Sequence, residues 1–119
     1  MFEITKAVHF EAAHFMGGKP EGHPYRNMHG HSFRLEATIA GVVKPGEQWV
    51  EDFGHLTDCL NATAEKLDHR LLNEIDGLDV PTLERICLWV AEDLREALPG
   101  LKRVALARPS LNERCELVL

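Results

Sequence analysis

Two stretches of the chain alternate between apolar and polar residues with a period of two, and together they dictate a hairpin. Across residues 29–42, His29, His31, Phe33, Leu35, Ala37 and Ile39 share one face, while Ser32, Arg34, Glu36 and Thr38 share the other. Across residues 2–14, Phe2, Ile4, Val8, Phe10 and Ala12 fall on one parity and His14 closes the series. Glu3, Thr5, His9 and Glu11 fall on the opposite parity, and Lys6 is the one charged residue on the apolar side. This period marks a half-buried strand. The intervening residues 15–28 (FMGGKPEGHPYRNM) carry three glycines and two prolines and predict a loop. Long unstructured connections in small domains are often functional.

The middle of the chain switches to helical spacing. Asp52 is placed to cap a helix over 53–67 whose stripe is Phe53, Leu56, Leu60, Ala64 and Leu67. A second helix fits 82–98, with Leu83, Ile86, Cys87, Val90, Leu94 and Leu98 as its stripe and Pro81 and Pro99-Gly100 as brackets. Lys44–Glu47 predicts a turn, Gln48–Val50 a short strand or strand end, and residues 68–80 a mixed segment with a turn at Asp76-Gly77. Alternation returns at Arg103–Arg108 and Arg114–Leu119, separated by a turn near residues 109–113. The order ββααββ predicts one α+β domain over residues 1–119, an antiparallel sheet with two helices on one face.

Composition narrows the function classes. Thirteen Lys and Arg against 19 Asp and Glu give a net charge of −6 over 119 residues. Such an acidic balance argues against a nucleic-acid partner, which requires a basic footprint. No stretch approaches the roughly 20 apolar residues of a membrane span. The opening MFEITKAVHFEAAH has no basic segment followed by an apolar one, so no leader and no membrane partner are expected. Cys59, Cys87 and Cys115 are odd in number and widely spaced, which fits a cytoplasmic, reducing location.

Seven histidines are the unusual feature. An antiparallel hairpin brings His14, at the end of the first strand, to the same sheet edge as His29 and His31 at the start of the second. All three lie on the apolar parity. Three converging imidazoles make a tridentate site suited to Zn2+, with a fourth position left for water or substrate. An HxH pair by itself is a weak signal, and His14 gives it weight. His9 falls on the polar face, His23 in the loop beside the ligands or in solvent, and His55 on an exposed helix face.

The segments FEAAHFM, PEGHPYRNMHGHSF, WVEDFGHL, KLDHRLLNE and VPTLE, in this order from about residue 7 to 98, resemble the 6-pyruvoyl-tetrahydropterin synthase and 6-carboxy-tetrahydropterin synthase family. The resemblance implies a tunnelling fold, in which ββααββ units join into an oligomeric barrel as a trimer or hexamer. It implies Zn2+ on His14, His29 and His31, and a small-molecule substrate, 7,8-dihydroneopterin triphosphate. It further implies a proton relay at Asp68 and His69, and Thr82 and Glu84 of the PTxE stretch beside the substrate. The implied activity is that of a zinc-dependent carbon–carbon or carbon–oxygen lyase of the 6-carboxy-5,6,7,8-tetrahydropterin synthase type, in queuosine or pterin biosynthesis.

Two positions depart from the family pattern. The catalytic cysteine of the family stands four residues before the first histidine of HGH, where this chain has Tyr25. A phenol ionises near pH 10 and is a poor base at neutral pH unless zinc or a cation such as Arg26 assists it. Glu21 and His23 stand in the same loop. The pterin-anchoring glutamate of the penultimate strand falls at Arg108. A guanidinium has donors and no acceptor, so it suits a carboxylate or phosphate instead. Glu113 and Glu116 are further acidic residues at that end, less well placed than position 108 itself. These departures leave open a divergent enzyme on another pterin-like or anionic substrate, and a non-catalytic zinc-binding paralogue.

Overall fold

The computed structural model describes residues 1–119. Its strands are β1 (Phe2–His14), β2 (His29–Gly41), β3 (Leu101–Arg108) and β4 (Glu113–Val118), and its helices are α1 (Phe53–Glu65) and α2 (Leu83–Leu94). The strands form one antiparallel sheet in the order β1-β2-β3-β4. Each strand pairs with the next in sequence, so the two helices are spent crossing from β2 to β3.

Register decides which side chains share a face. His14 lies opposite His29, Ala12 opposite His31 and Phe10 opposite Phe33. Leu35 lies opposite Leu106, and Arg108 opposite Glu113. Directly opposed residues point to the same side of a sheet. The apolar parities of all four strands therefore coincide, and both helices cover that side. α1 lies over β1, and α2 over β3 and β4. Phe33, Leu35, Leu56, Leu60, Ile86, Val90 and Leu106 are wholly buried between the layers. The Phe10 and Phe33 rings stack at 5.0 Å, a contact of the kind that adds about 0.5–1.5 kcal/mol beyond its buried area.

The opposite side of the sheet carries no helix. Charged side chains pair across it instead: Arg103 with Glu3, Arg34 with Glu36, and Arg114 with both Glu36 and Glu116.

Helix ends and linkers depart from the sequence expectation in a few places. Asp52 caps α1 by accepting from the Gly54 N–H at 2.9 Å. α1 ends at Glu65 and not at 67, because the chain turns through Lys66 and Leu67 into His69, whose φ is 57°. α2 ends at Leu94; Leu98 continues the buried stripe from the turn beyond. Gln48–Val50 forms no strand. Gly100 meets β2 so closely that a Cβ there would lie 2.9 Å from Ile39 Cγ2, so the turn into β3 requires glycine. No helix is long and apolar enough to cross a membrane.

Candidate metal and substrate site

The end of the β1–β2 hairpin holds the three expected histidines together. Their ring centroids lie 4.6, 4.8 and 4.9 Å apart, and one ring nitrogen from each falls within 4.8 Å of the others. His14 Nε2 and His29 Nε2 face each other at 3.0 Å. His29 Nδ1 donates to the Asn27 carbonyl at 2.8 Å, which fixes its tautomer and leaves the Nε2 lone pair free. His31 Nε2 is buried without a partner, and so is His14 Nδ1.

Buried polar atoms without partners are rare. A cation bound by three nitrogen lone pairs would give His31 Nε2 the partner it lacks and would replace the His14–His29 contact with ligation. The donor set is all imidazole, the separations match ligands around one ion, and three ligands leave a position open. The cluster can hold a metal. Burial first, then the neighbouring His29 and His31, lower the His14 pKa from 6.5 to about 4. Burial and Arg108 lower that of His31, while Glu113 opposes them. Both rings therefore stay neutral at physiological pH, the form a metal requires.

The histidines open into a cavity of about 110 Å³ whose other polar side chains are Tyr25, Arg108 and Glu113. A second lobe of about 190 Å³ shares His14, Met16, Tyr25 and Arg108 and adds Lys19, Thr82 and Glu84. Tyr25 is brought over the site by the 15–28 loop. The loop closes on itself where the Met16 N–H donates to the Tyr25 carbonyl at 2.6 Å. Asn73 holds its start, accepting from the Phe15 N–H at 3.0 Å and donating to the Phe15 carbonyl at 2.9 Å. Lys19 Nζ stands 5.8 Å from the centre of the Tyr25 ring. Arg26, expected to assist the phenol, donates to the Lys19 carbonyl. His23 accepts from the Tyr25 backbone N–H, and Glu21 is exposed and outside both lobes.

Thr82 caps α2 by accepting from the Arg85 N–H, and Glu84 follows in the first turn. Arg108 ends β3 and stands between the lobes. Its Nε lies 2.7 Å from Glu113 Oε1, yet its N–H is not aimed at that oxygen and the buried atom has no other partner. Strand register places Glu113 directly across from Arg108, on the histidine side, whereas Glu116 pairs with Arg114 on the opposite face.

Asp68 and His69 are absent from both lobes. The His69 Nδ1–Asp68 Oδ2 contact of 2.9 Å forms as expected. Asp68 also accepts from the Glu11 backbone N–H, and that bond first, then His69, lowers its carboxyl pKa. A main-chain bridge from Leu71 to Ala13 pins this segment to the outer edge of β1. There His69 rims an open depression of about 530 Å³ with Glu11, Ser32 and Ser110, and His31 borders both this depression and the histidine cavity. His9 is exposed, and His55 is exposed on α1, near the Ala97 carbonyl.

Known proteins share this architecture. The family model described as 6-pyruvoyl tetrahydropterin synthase matches residues 3–118. A protein of Pyrococcus furiosus named dihydroneopterin monophosphate aldolase is 41% identical over 106 residues, covering 87% of this chain and 86% of its own. A 6-carboxy-5,6,7,8-tetrahydropterin synthase of Synechocystis is 39% identical over 110 residues, covering 87% and 84%. The structure of the Caenorhabditis elegans 6-pyruvoyl tetrahydropterin synthase superposes with a TM-score of 0.86 at 19% identity, covering 99% of this chain and 95% of that one. The chain is thus a member of the 6-pyruvoyl tetrahydropterin synthase family with the tunnelling fold, a lyase family of pterin metabolism.

Proposed function

We propose that this chain is a zinc-dependent lyase that cleaves the side chain of a phosphorylated dihydroneopterin, breaking the bond between its first and second carbons. The observation that carries this reading is the composition of the histidine cavity: three imidazoles, a phenol, a guanidinium and a carboxylate, with no thiol. A retro-aldol cleavage needs one acceptor for a hydroxyl proton and one donor for the carbon left behind, and that set contains both. The relative named as an aldolase on dihydroneopterin monophosphate supports the same reaction.

His14, His29 and His31 would hold the zinc. When bound, Zn2+ supplies Lewis acidity to a hydroxyl entering its open position. Tyr25, reaching over the cavity, is the donor. Thr82 and Glu84 line the wider lobe, where a planar ring fits, and Glu84 offers an acceptor to ring N–H groups. Arg108 and Lys19 are local positive charges in an acidic chain and favour the substrate's anionic group. Asp68 and His69 face away from this chain's own cavity, which supports a role at the cavity of a neighbouring copy in a trimer or hexamer.

The 6-carboxy-tetrahydropterin synthase reaction is the second reading, favoured by the relative of that name. The test is direct. Purified without chelator, the chain is expected to carry about one zinc, and His31→Ala to lose it. Given dihydroneopterin monophosphate, it is expected to yield a hydroxymethyl-dihydropterin and a two-carbon phosphorylated aldehyde. Triphosphate release from dihydroneopterin triphosphate, together with an unphosphorylated two-carbon aldehyde, selects the second reading. Zinc without turnover of either compound leaves the non-catalytic paralogue.

A further inference from the structure

We propose that Glu113, held in place by Arg108, is the general base of this site. The inference rests on the lyase reading above and names a residue that it leaves open.

Elimination begins with the cavity wall. The residue that takes a hydroxyl proton must share the cavity with the three histidines, and it must have a free lone pair. The histidines spend theirs on the metal. Arg108 has donors and no acceptor, and a phenol enters at neutral pH as a donor. Glu113 is the one carboxylate on that wall. Among this chain's own residues, Glu84 lies in the other lobe, Glu21 in neither, and His69 rims the open depression beyond His31, where with Asp68 it serves a neighbouring copy as relay and not this cavity as base.

Geometry then aims the group. β3 and β4 place Arg108 and Glu113 directly opposite each other on the histidine side. The guanidinium Nε stands 2.7 Å from Oε1, an ion-pair contact that keeps the carboxylate on the wall of the histidine cavity. An arginine at the end of β3 thus acts as a positioning residue: it keeps a carboxylate on a short edge strand turned toward the site.

The step balances without any further reagent. The substrate O–H bond breaks and its proton goes to Glu113. The freed electron pair forms the aldehyde C=O as the neighbouring C–C bond breaks. That bond's electron pair passes into the ring C=N, and the carbon takes a proton from Tyr25. Solvent water then carries the proton of Glu113 away and restores that of Tyr25.

Two measurements test this. Glu113→Gln, a near-isosteric change, is expected to keep the zinc while kcat on dihydroneopterin monophosphate falls about 10²–10⁴-fold, the usual contribution of a general base. In Glu113→Ala, added formate is expected to restore part of the rate. Arg108→Gln should lower kcat as well, with no formate rescue. Turnover by Glu113→Gln at the wild-type rate overturns the proposal.

The second measurement does not depend on turnover. Acetohydroxamate, which gives up a proton on binding to open zinc sites, is titrated calorimetrically into the zinc-loaded protein in buffers of different ionisation enthalpy. Wild type is expected to retain the proton on Glu113, and Glu113→Gln to release it to the buffer. Equal release from both proteins overturns Glu113 as base. A proton difference in a wild type inert toward pterins leaves Glu113 standing and removes the pterin reading instead.

Discussion

His14 sits where a protonatable group meets a 2% exposed environment, and this couples acidity to stability. In chelator-treated protein the folded state refuses a proton until about pH 4, whereas the unfolded chain accepts one near 6.5. Between those values the unfolded state binds more protons, so stability is lost as pH falls through that window. Metal-free protein is expected to show a Tm that drops from pH 6.5 toward 4, and His14→Asn a flatter profile. Parallel profiles for the two proteins would place the titrating group elsewhere. At this scale the three imidazoles were legible in the sequence, because parity and hairpin closure place them without any tertiary information. Glu113 was not. Its standing depends on the pairing of β3 with β4 across a turn in which Asn112 adopts φ 54°, and alternation alone does not fix such a register.

Among the elements, the hairpin loop is the one whose shape decides the site. Asn73 is its anchor, with two hydrogen bonds to Phe15 from a segment more than fifty residues away. At about 1 kcal/mol per bond, Asn73→Ala is expected to cost about 2 kcal/mol in urea unfolding. It should also speed proteolysis within residues 17–24. An unchanged urea midpoint would show that the loop is held by its own Met16–Tyr25 closure. The helices were readable from their stripes and from Asp52. Their early ends were not, since Lys66–His69 leaves α1 to follow the edge of β1. That detour carries Asp68 and His69 away from the cavity, a displacement that two adjacent letters in a sequence cannot reveal. Gln48–Val50 likewise looks strand-like but has no neighbouring strand to pair with.

As a whole the chain is longer than a self-sufficient fold needs to be. Its radius of gyration is 15.7 Å, against about 13.5 Å for a compact domain of this length. Only 26 of 119 residues are buried, while Phe2, Trp49 and Phe53 remain at least half exposed near the far end of the hairpin. β1 and β4 each present an outer edge that a soluble sheet must pair or cover. Sedimentation is expected to give a trimer or hexamer that persists on dilution to micromolar protein; a stable monomer would contradict that expectation. One division of labour inside the chain has a longer reach. The imidazoles ride on a rigid ladder, while Met16, Lys19 and Tyr25 hang from a segment moored by a single asparagine. Substitutions in that canopy can therefore reshape the cavity wall while the histidine cluster stays intact, so the lining can drift at a few loop positions without disturbing the ladder beneath it.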